Sequence, residues 1–210
     1  MAKSAEQGDI WEWRAFGAPG REIVDAIQSH PIRMGIRETE EEDLYFVSPT
    51  SDQNIKLRRA RDGWLLKVKL LLKTREGAEL YRETQSMIHK FPIEPSIAYE
   101  VIELLETKVP SASAIAGSLD RDQLVRLIAH SSPPVDLTPV LKTRSQFDFG
   151  NGWVEIAEAA FPMRTVQSIS IQSFELKEVD RIRQEIIGAR LESIEVMNYV
   201  MACRKWTHPL

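Results

Sequence analysis

One cysteine in 210 residues, Cys203, leaves no partner for an internal disulfide, so a reducing, cytoplasmic setting is expected. Long apolar runs are missing as well: no stretch of about 18 apolar residues occurs, and the polar start from Met1 to Asp9 lacks the apolar core of a secretion signal. A soluble, unexported protein without a membrane partner is the expectation. The chain also lacks an excess of basic residues, with a formal net charge of −4, which excludes a general nucleic-acid or membrane-surface binder. Histidine is sparse, and His30, His89, His130 and His208 are scattered without metal-ligand spacing, so each reads as a surface or terminal residue. No glycine-rich phosphate loop, nucleophile elbow or dinucleotide fingerprint is present. What remains is an apolar fraction of 43%, enough to bury a sizeable core in one domain spanning 1–210.

Against that background one spacing stands out. Glu12/Arg14, Lys56/Arg58, Lys67/Lys69 and Lys142/Arg144 are charged pairs two residues apart, each in strand-like sequence. Successive strand side chains alternate between faces, so each pair projects from one side of its strand. In Trp64 to Leu72 the register is plain, with Leu66, Val68, Leu70 and Leu72 on one face and Lys67 and Lys69 on the other.

Strands are expected at Ile10 to Phe16, Asp43 to Val47, Asn54 to Arg59, Trp64 to Leu72, Glu79 to Gln85, Pro139 to Phe149, Trp153 to Phe161 and Val166 to Leu176. Asp62-Gly63 and Gly150-Asn151-Gly152 mark tight hairpin turns. Helical spacing appears over Arg21 to Gln28, Glu94 to Glu106, Asp120 to His130, Lys177 to Leu191 and Ser193 to Trp206, with Pro110 closing the second of these units. The acidic run Glu38 to Asp43 reads as a solvated loop. The pattern is α+β: two clusters of hairpins separated by a helical insertion at about 94–130. About eight antiparallel strands can close, or nearly close, into a barrel with helices outside. Trp11 and Trp13, alternating with Glu12, then face those helices. A lumen lined by lysine and arginine cannot be a dry core, because two cations 4 Å apart repel by roughly 4 kcal/mol at an effective dielectric near 20. It must be wet and hold balancing carboxylates or a bound anion.

These residues, in this order, resemble the CYTH or triphosphate-tunnel superfamily of thiamine triphosphatases, inorganic triphosphatases and class IV adenylate cyclases. Ile10-Trp11-Glu12-Trp13-Arg14 is similar to its Glu-x-Glu-x-Lys strand, and Asp43-Leu44-Tyr45-Phe46 to its acidic-aromatic strand. Ile55-Lys56-Leu57-Arg58 and the segment ending in Lys69 resemble phosphate-contacting elements. Tyr81-Arg82-Glu83, Leu141-Lys142-Thr143-Arg144, Trp153 to Ala159 and Ser173-Phe174-Glu175-Leu176 follow in the family's order. Ile10 and Ser173 stand where the family has glutamates. The alternation falters at Ile171-Gln172-Ser173, where a bulge would turn Gln172 inward instead.

The resemblance implies a metal-dependent phosphohydrolase acting on a triphosphate-containing small molecule, with cyclisation as the alternative reaction. From a different class comes a module that binds a nucleotide or polyphosphate without efficient turnover, which the missing acids favour. Arg14, Lys56, Arg58, Lys67, Lys69, Arg82, Lys142 and Arg144 would grip phosphate, Lys67 from the rim. Glu12, Glu175 and one of Glu155 or Glu158 would hold Mg²⁺ or Mn²⁺, with Glu12, Glu175 and Lys69 carrying catalysis. The same glutamates can instead pair only with the lining cations. A homodimer is compatible with the sequence.

Overall fold

The structure, a computed structural model, describes residues 8–18, 21–30, 34–109, 115, 117–188 and 194–207. The expectations for Pro110, for residues 189–193 and for His208 fall outside the described residues.

Ten strands form one antiparallel sheet: β1 Ile10–Gly17, β2 Met34–Val47, β3 Asn54–Ala60, β4 Gly63–Arg75, β5 Ala78–Arg82, β6 Ile88–Lys90, β7 Asp136–Asp148, β8 Gly152–Phe161, β9 Arg164–Ser173 and β10 Ile194–Val196. The order β1-β5-β4-β3-β2-β7-β8-β9, with β9 returning to β1, closes eight of them into a barrel. Closure removes the open edges that an eight-stranded sheet would otherwise expose. β6 extends the sheet beside β4, and β10 does so beside β1.

The expected hairpins form, each with its own turn chemistry. Ala60 pairs with Gly63 across a two-residue loop, Arg61-Asp62, and Gly63 takes a φ of +131° that a side chain rarely adopts. Between β4 and β5, Glu76 and Gly77 both have positive φ, the mirror-image turn whose twist matches a hairpin. Gly150 bends the β7–β8 connection, where the Phe149 amide donates to the Gly152 carbonyl.

Five α-helices are present among the described residues: α1 Arg21–Ser29, α2 Pro95–Leu104, α3 Arg121–Ala129, α4 Leu176–Ile186 and α5 Tyr199–Trp206. α2 opens with proline at its first turn, where the missing amide is unneeded, and α3 with a reciprocal Asp120–Gln123 capping box. The barrel is apolar outside, where the helices cover it. α1 and α4 bury Ile23, Ile27, Val179, Ile182 and Ile186 against Trp11, Trp13, Ile169 and Ile171. α2 and α3, the expected insertion, cover Phe46, Ile55, Leu57, Leu66 and Val68. α5 does something else: Tyr199, Val200, Ala202, Cys203 and Trp206 pack with inward-pointing Phe16, Tyr45, Val47, Val140, Ala159, Phe161 and Val166. It stoppers one end of the barrel. Asn198 caps it by accepting from the Met201 amide, and the Arg204 guanidinium donates to the Ser48 and Ser51 carbonyls.

Several sequence expectations need correction. Glu38 to Asp43 is no loop but the middle of β2, paired with β7 throughout and with β3 from Asp43 onward; charge suits it because alternate residues face the lumen. Ser193 to Trp206 is not one helix, since Ile194–Val196 pairs with β1 before α5 begins. The strand expected at Glu79 to Gln85 ends at Arg82. Leu72 is exposed because a register shift between Leu71 and Lys73 ends the alternation there. No helix among the described residues is long and apolar enough to cross a membrane.

Gly152 lies where α4 presses on the barrel, and a Cβ there would approach Ile182 Cδ1 to 2.7 Å and the Gln172 carbonyl to 2.8 Å. Gly152→Ala is therefore expected to destabilise the fold by about 1–3 kcal/mol, read as a lower urea midpoint.

Candidate functional site: a charged barrel lumen

All four charged pairs face one cavity of about 350 Å³ inside the barrel. It is lined by eight basic side chains, Arg14 (β1), Arg37 (β2), Lys56 and Arg58 (β3), Lys67 and Lys69 (β4) and Lys142 and Arg144 (β7), against four acidic ones, Glu12, Glu41, Glu83 and Glu155. Asp43 lies behind them with no exposed surface. The strand register stacks these groups in layers. Ile10, Gln146, Trp153 and Gln172 belong to the open end, charges fill the middle, and the aromatic cluster on α5 forms the floor.

Two buried networks organise the charges. In the first, Arg14 Nε donates to Glu12 Oε1 at 2.8 Å and Arg14 Nη2 to Glu155 Oε1 at 3.1 Å. Nη1 reaches Ser168 Oγ at 3.3 Å, and the guanidinium carbon lies 4.6 Å from the centre of the Tyr199 ring. The outer oxygens are also engaged: Glu12 Oε2 accepts from Lys69 at 2.6 Å and from Gln172 at 3.0 Å, and Glu155 Oε2 from Arg144 at 2.8 Å. In the second, Asp43 takes both prongs of Arg58, at 2.7 and 2.8 Å, with Lys56 at 3.1 Å and a short contact from Lys142. Glu41 bridges Arg58 and Arg144 at 2.5 and 2.8 Å. Lys67 pairs with Glu83 at 3.0 Å.

Burial works to raise the Glu12, Asp43, Glu83 and Glu155 carboxyls, but the surrounding cations outweigh it and hold all four below the usual carboxylate range. Burial and the nearby Arg58 charge push Lys56 well below the ordinary lysine value, with Asp43 pulling the other way. Lys142 escapes that fate because Asp43 overcomes its burial. Glu79 goes upward, mainly through burial, and accepts from Tyr81 at 2.6 Å and Asn198 at 2.7 Å.

The structure brings together Glu12, Arg14, Lys56, Arg58, Lys67, Lys69, Lys142, Arg144 and Glu155. It keeps three expected site residues apart. Arg82 is exposed and pairs with Asp9 at 2.9 Å, because lumen-facing positions at this edge are Tyr81 and Glu83. Glu158 has the wrong parity relative to Glu155 and lines a concavity on the outer wall with Glu40, Glu42 and Leu141. Glu175 is the exposed N-cap residue of α4, 2.7 Å from Lys177, because β9 has already ended at Ser173. The inward residue there is Gln172, as expected, but without the expected bulge: β9 keeps a continuous register with β1 and β8, and regular alternation alone turns Gln172 inward. The lumen also holds Arg37, Glu41, Asp43, Glu83 and Tyr199, which the spacing of charged pairs does not mark as site residues, although Glu41, Asp43 and Tyr45 share the parity that faces Lys56 and Arg58 across the β2–β3 pairing. None of the described histidines lines the lumen, and burial pushes the Cys203 thiol upward.

A resident divalent cation does not fit this arrangement. All four oxygens of Glu12 and Glu155 already accept from protein cations. Among the described residues, no three Asp, Glu, His or Cys side chains converge to hold a metal ion.

No protein-family model and no curated protein matches this sequence. Among solved structures, a Hippeastrum protein named as an adenylyl cyclase, for which a dominant triphosphatase activity is described, aligns with a TM-score of 0.54 at 15% identity. The alignment covers 95% of this chain and 97% of that one. A Bacillus halodurans protein named as an adenylate cyclase aligns with a TM-score of 0.52 at 10% identity, over 93% of this chain and 98% of that one. The chain has the closed-barrel fold of the CYTH-like triphosphate-tunnel proteins.

Asp43→Asn would leave Lys56, Arg58 and Lys142 around a neutral amide. A loss of about 3–5 kcal/mol in urea unfolding is expected. The pH dependence follows from the depressed carboxyls. Their stabilisation is present above the unfolded carboxylate values near 4 and fades as pH falls through the lower folded values. The melting temperature should be level from about pH 7 to 5 and fall steadily below about pH 4.

Proposed function

We propose that the lumen binds a triphosphate-bearing small molecule, or a short polyanion of like charge density, through its lysines and arginines. The observation that carries this reading is the convergence of eight basic side chains from five strands on one cavity in a chain of net charge −4. Scattered surface charge would not produce such a concentration of one sign. The cavity volume falls within the range of small-molecule sites, and its basic groups offer the charge-assisted and bidentate hydrogen bonds that phosphate oxygens take. Arg37, which is exposed, and Lys67, Arg58 and Arg144, each partly exposed, are the groups an entering anion meets first. Binding without efficient turnover is the reading the geometry favours, because Glu175 is outside the lumen and Glu12 and Glu155 are held by cations. Hydrolysis of the same ligand is the second reading, favoured by the triphosphatase activity described for the Hippeastrum protein.

Tripolyphosphate at 100 times its dissociation constant is expected to stabilise the fold by about 2.7 kcal/mol in thermal unfolding. Arg144→Ala should weaken its binding roughly 10- to 100-fold by calorimetry, the contribution of one charged hydrogen-bonding group. Unchanged affinity would remove Arg144 from the site. Release of inorganic phosphate during the same incubation would select hydrolysis over binding alone.

A further inference from the structure

We infer that the Arg14 guanidinium occupies the place between Glu12 and Glu155 that a divalent cation would need, so that this lumen takes its polyanion free of metal. The inference rests on the triphosphate-binding reading and specifies the ligand's form. Arg14 is built into the barrel wall: 6% exposed, it bonds two carboxylates and Ser168 and lies against the Tyr199 ring. It supplies the positive charge that two facing carboxylates require, and it does so permanently, because an arginine does not lose its proton in a protein.

The neighbouring strands offer no free carboxylate as a replacement ligand: Glu79 of β5, opposite Glu12, already accepts from Tyr81 and Asn198. β9 runs beside β1 and β8, with Trp11 opposite Ser173, Glu12 opposite Gln172 and Arg14 opposite Ser170. Ser168, Ser170 and Gln172, the β9 residues on the parity of the lumen-lining Gln172, are all uncharged. Ser168 and Ser170 are fully buried. On β1 itself the residue nearest the open end is Ile10. A hard cation would find two carboxylates instead of a ring of oxygens, and both are already engaged.

The consequence for the ligand has a definite sign. A magnesium complex carries less negative charge than the free polyphosphate, and a lumen with twice as many basic as acidic lining groups discriminates against it. Magnesium in solution therefore competes with the protein for the ligand. This reverses the usual role of a metal in polyphosphate binding.

The test is calorimetric titration of tripolyphosphate into the full chain, in chelator and in excess Mg²⁺, beside titration of Mn²⁺ alone into the wild type and Arg14→Ala. Binding in chelator, weakened at least about fivefold by Mg²⁺, is expected. Mn²⁺ should bind Arg14→Ala and leave the wild type unaffected. Tripolyphosphate binding that requires Mg²⁺ or is tightened by it overturns the inference, as does Mn²⁺ binding to the wild type in the lumen. Absence of tripolyphosphate binding in both buffers overturns the triphosphate reading instead, and the Mn²⁺ titrations then decide the role of Arg14 by themselves. Should Arg14→Ala fail to fold, Arg14→Gln keeps a polar side chain in the wall while removing the charge, and the wild-type titrations need no variant.

Discussion

The interaction on which the molecule depends is mutual neutralisation inside a closed wall. Once the barrel seals, lysine and arginine side chains on its inner face cannot turn outward, and each pair at close range repels by several kcal/mol at an interior dielectric near 20. Asp43, with no exposed surface, answers three of these cations at once, and Glu12 and Glu155 answer Arg14, Lys69 and Arg144. Such networks do not stabilise a protein relative to an apolar core of the same shape, because desolvation cancels much of the attraction. They make the geometry specific: removing one member leaves the others uncompensated.

That inner constraint determines what the outside must do. Strands that spend one face on charge can bury only the other, so the hydrophobic core lies between barrel and helices. Helices α1 and α4 cover one side and α2 and α3 another, and the tryptophans of β1 point into the first layer. One end of the lumen is an exception. There α5 inserts its own apolar face, with Phe16, Phe161, Tyr199 and Trp206 meeting edge to face at 5.0 to 5.4 Å. Edge-to-face rings add to the area they bury, and they wall the charged layer from solvent on that side. The cavity is thus a recess with an aromatic floor, a charged middle layer and an uncharged rim.

Much of this could be read from period-two alternation, because the property that decides an inward residue is parity along a strand. Lys56/Arg58, Lys67/Lys69 and Lys142/Arg144 kept their parity, and the closed antiparallel barrel followed from the hairpins that connect them. Parity also explains the failures. Glu158 is three residues from Glu155 and must face out, and Arg82 is one residue from the lumen-facing Tyr81 and Glu83. Glu175 was lost to a boundary, since a strand ending at Ser173 frees everything beyond it. The acidic run in β2 misled for a different reason. Local composition favours a solvated loop, and only pairing with the cations of β3 and β7, far away in sequence, makes Glu41 and Asp43 suitable strand residues. Likewise, nothing local in Tyr199 to Trp206 separates a helix on the wall from a helix in the bore.

The charge pairs of the lumen differ with depth in what they can yield to a ligand. Asp43 and Lys142 are sealed, and exchanging Asp43 for phosphate would strip three cations of their counter-ion within the wall. Lys67, Glu83 and Arg144 keep about a fifth to a quarter of their side-chain surface, so the Lys67–Glu83 pair and the Arg144 end of its contact with Glu41 are open to water. A polyanion can displace those carboxylates group by group, each exchange replacing one charge-assisted bond with another. Under the triphosphate reading, the deep contacts would serve as scaffold and the shallow ones as receptor. A single phosphate could replace one pair, whereas a longer chain could replace several, and linking the contacts in one molecule supplies the later ones without the entropy of separate encounters. Under the triphosphate reading, charge density along a short chain is therefore the feature that would separate one ligand from another in this lumen.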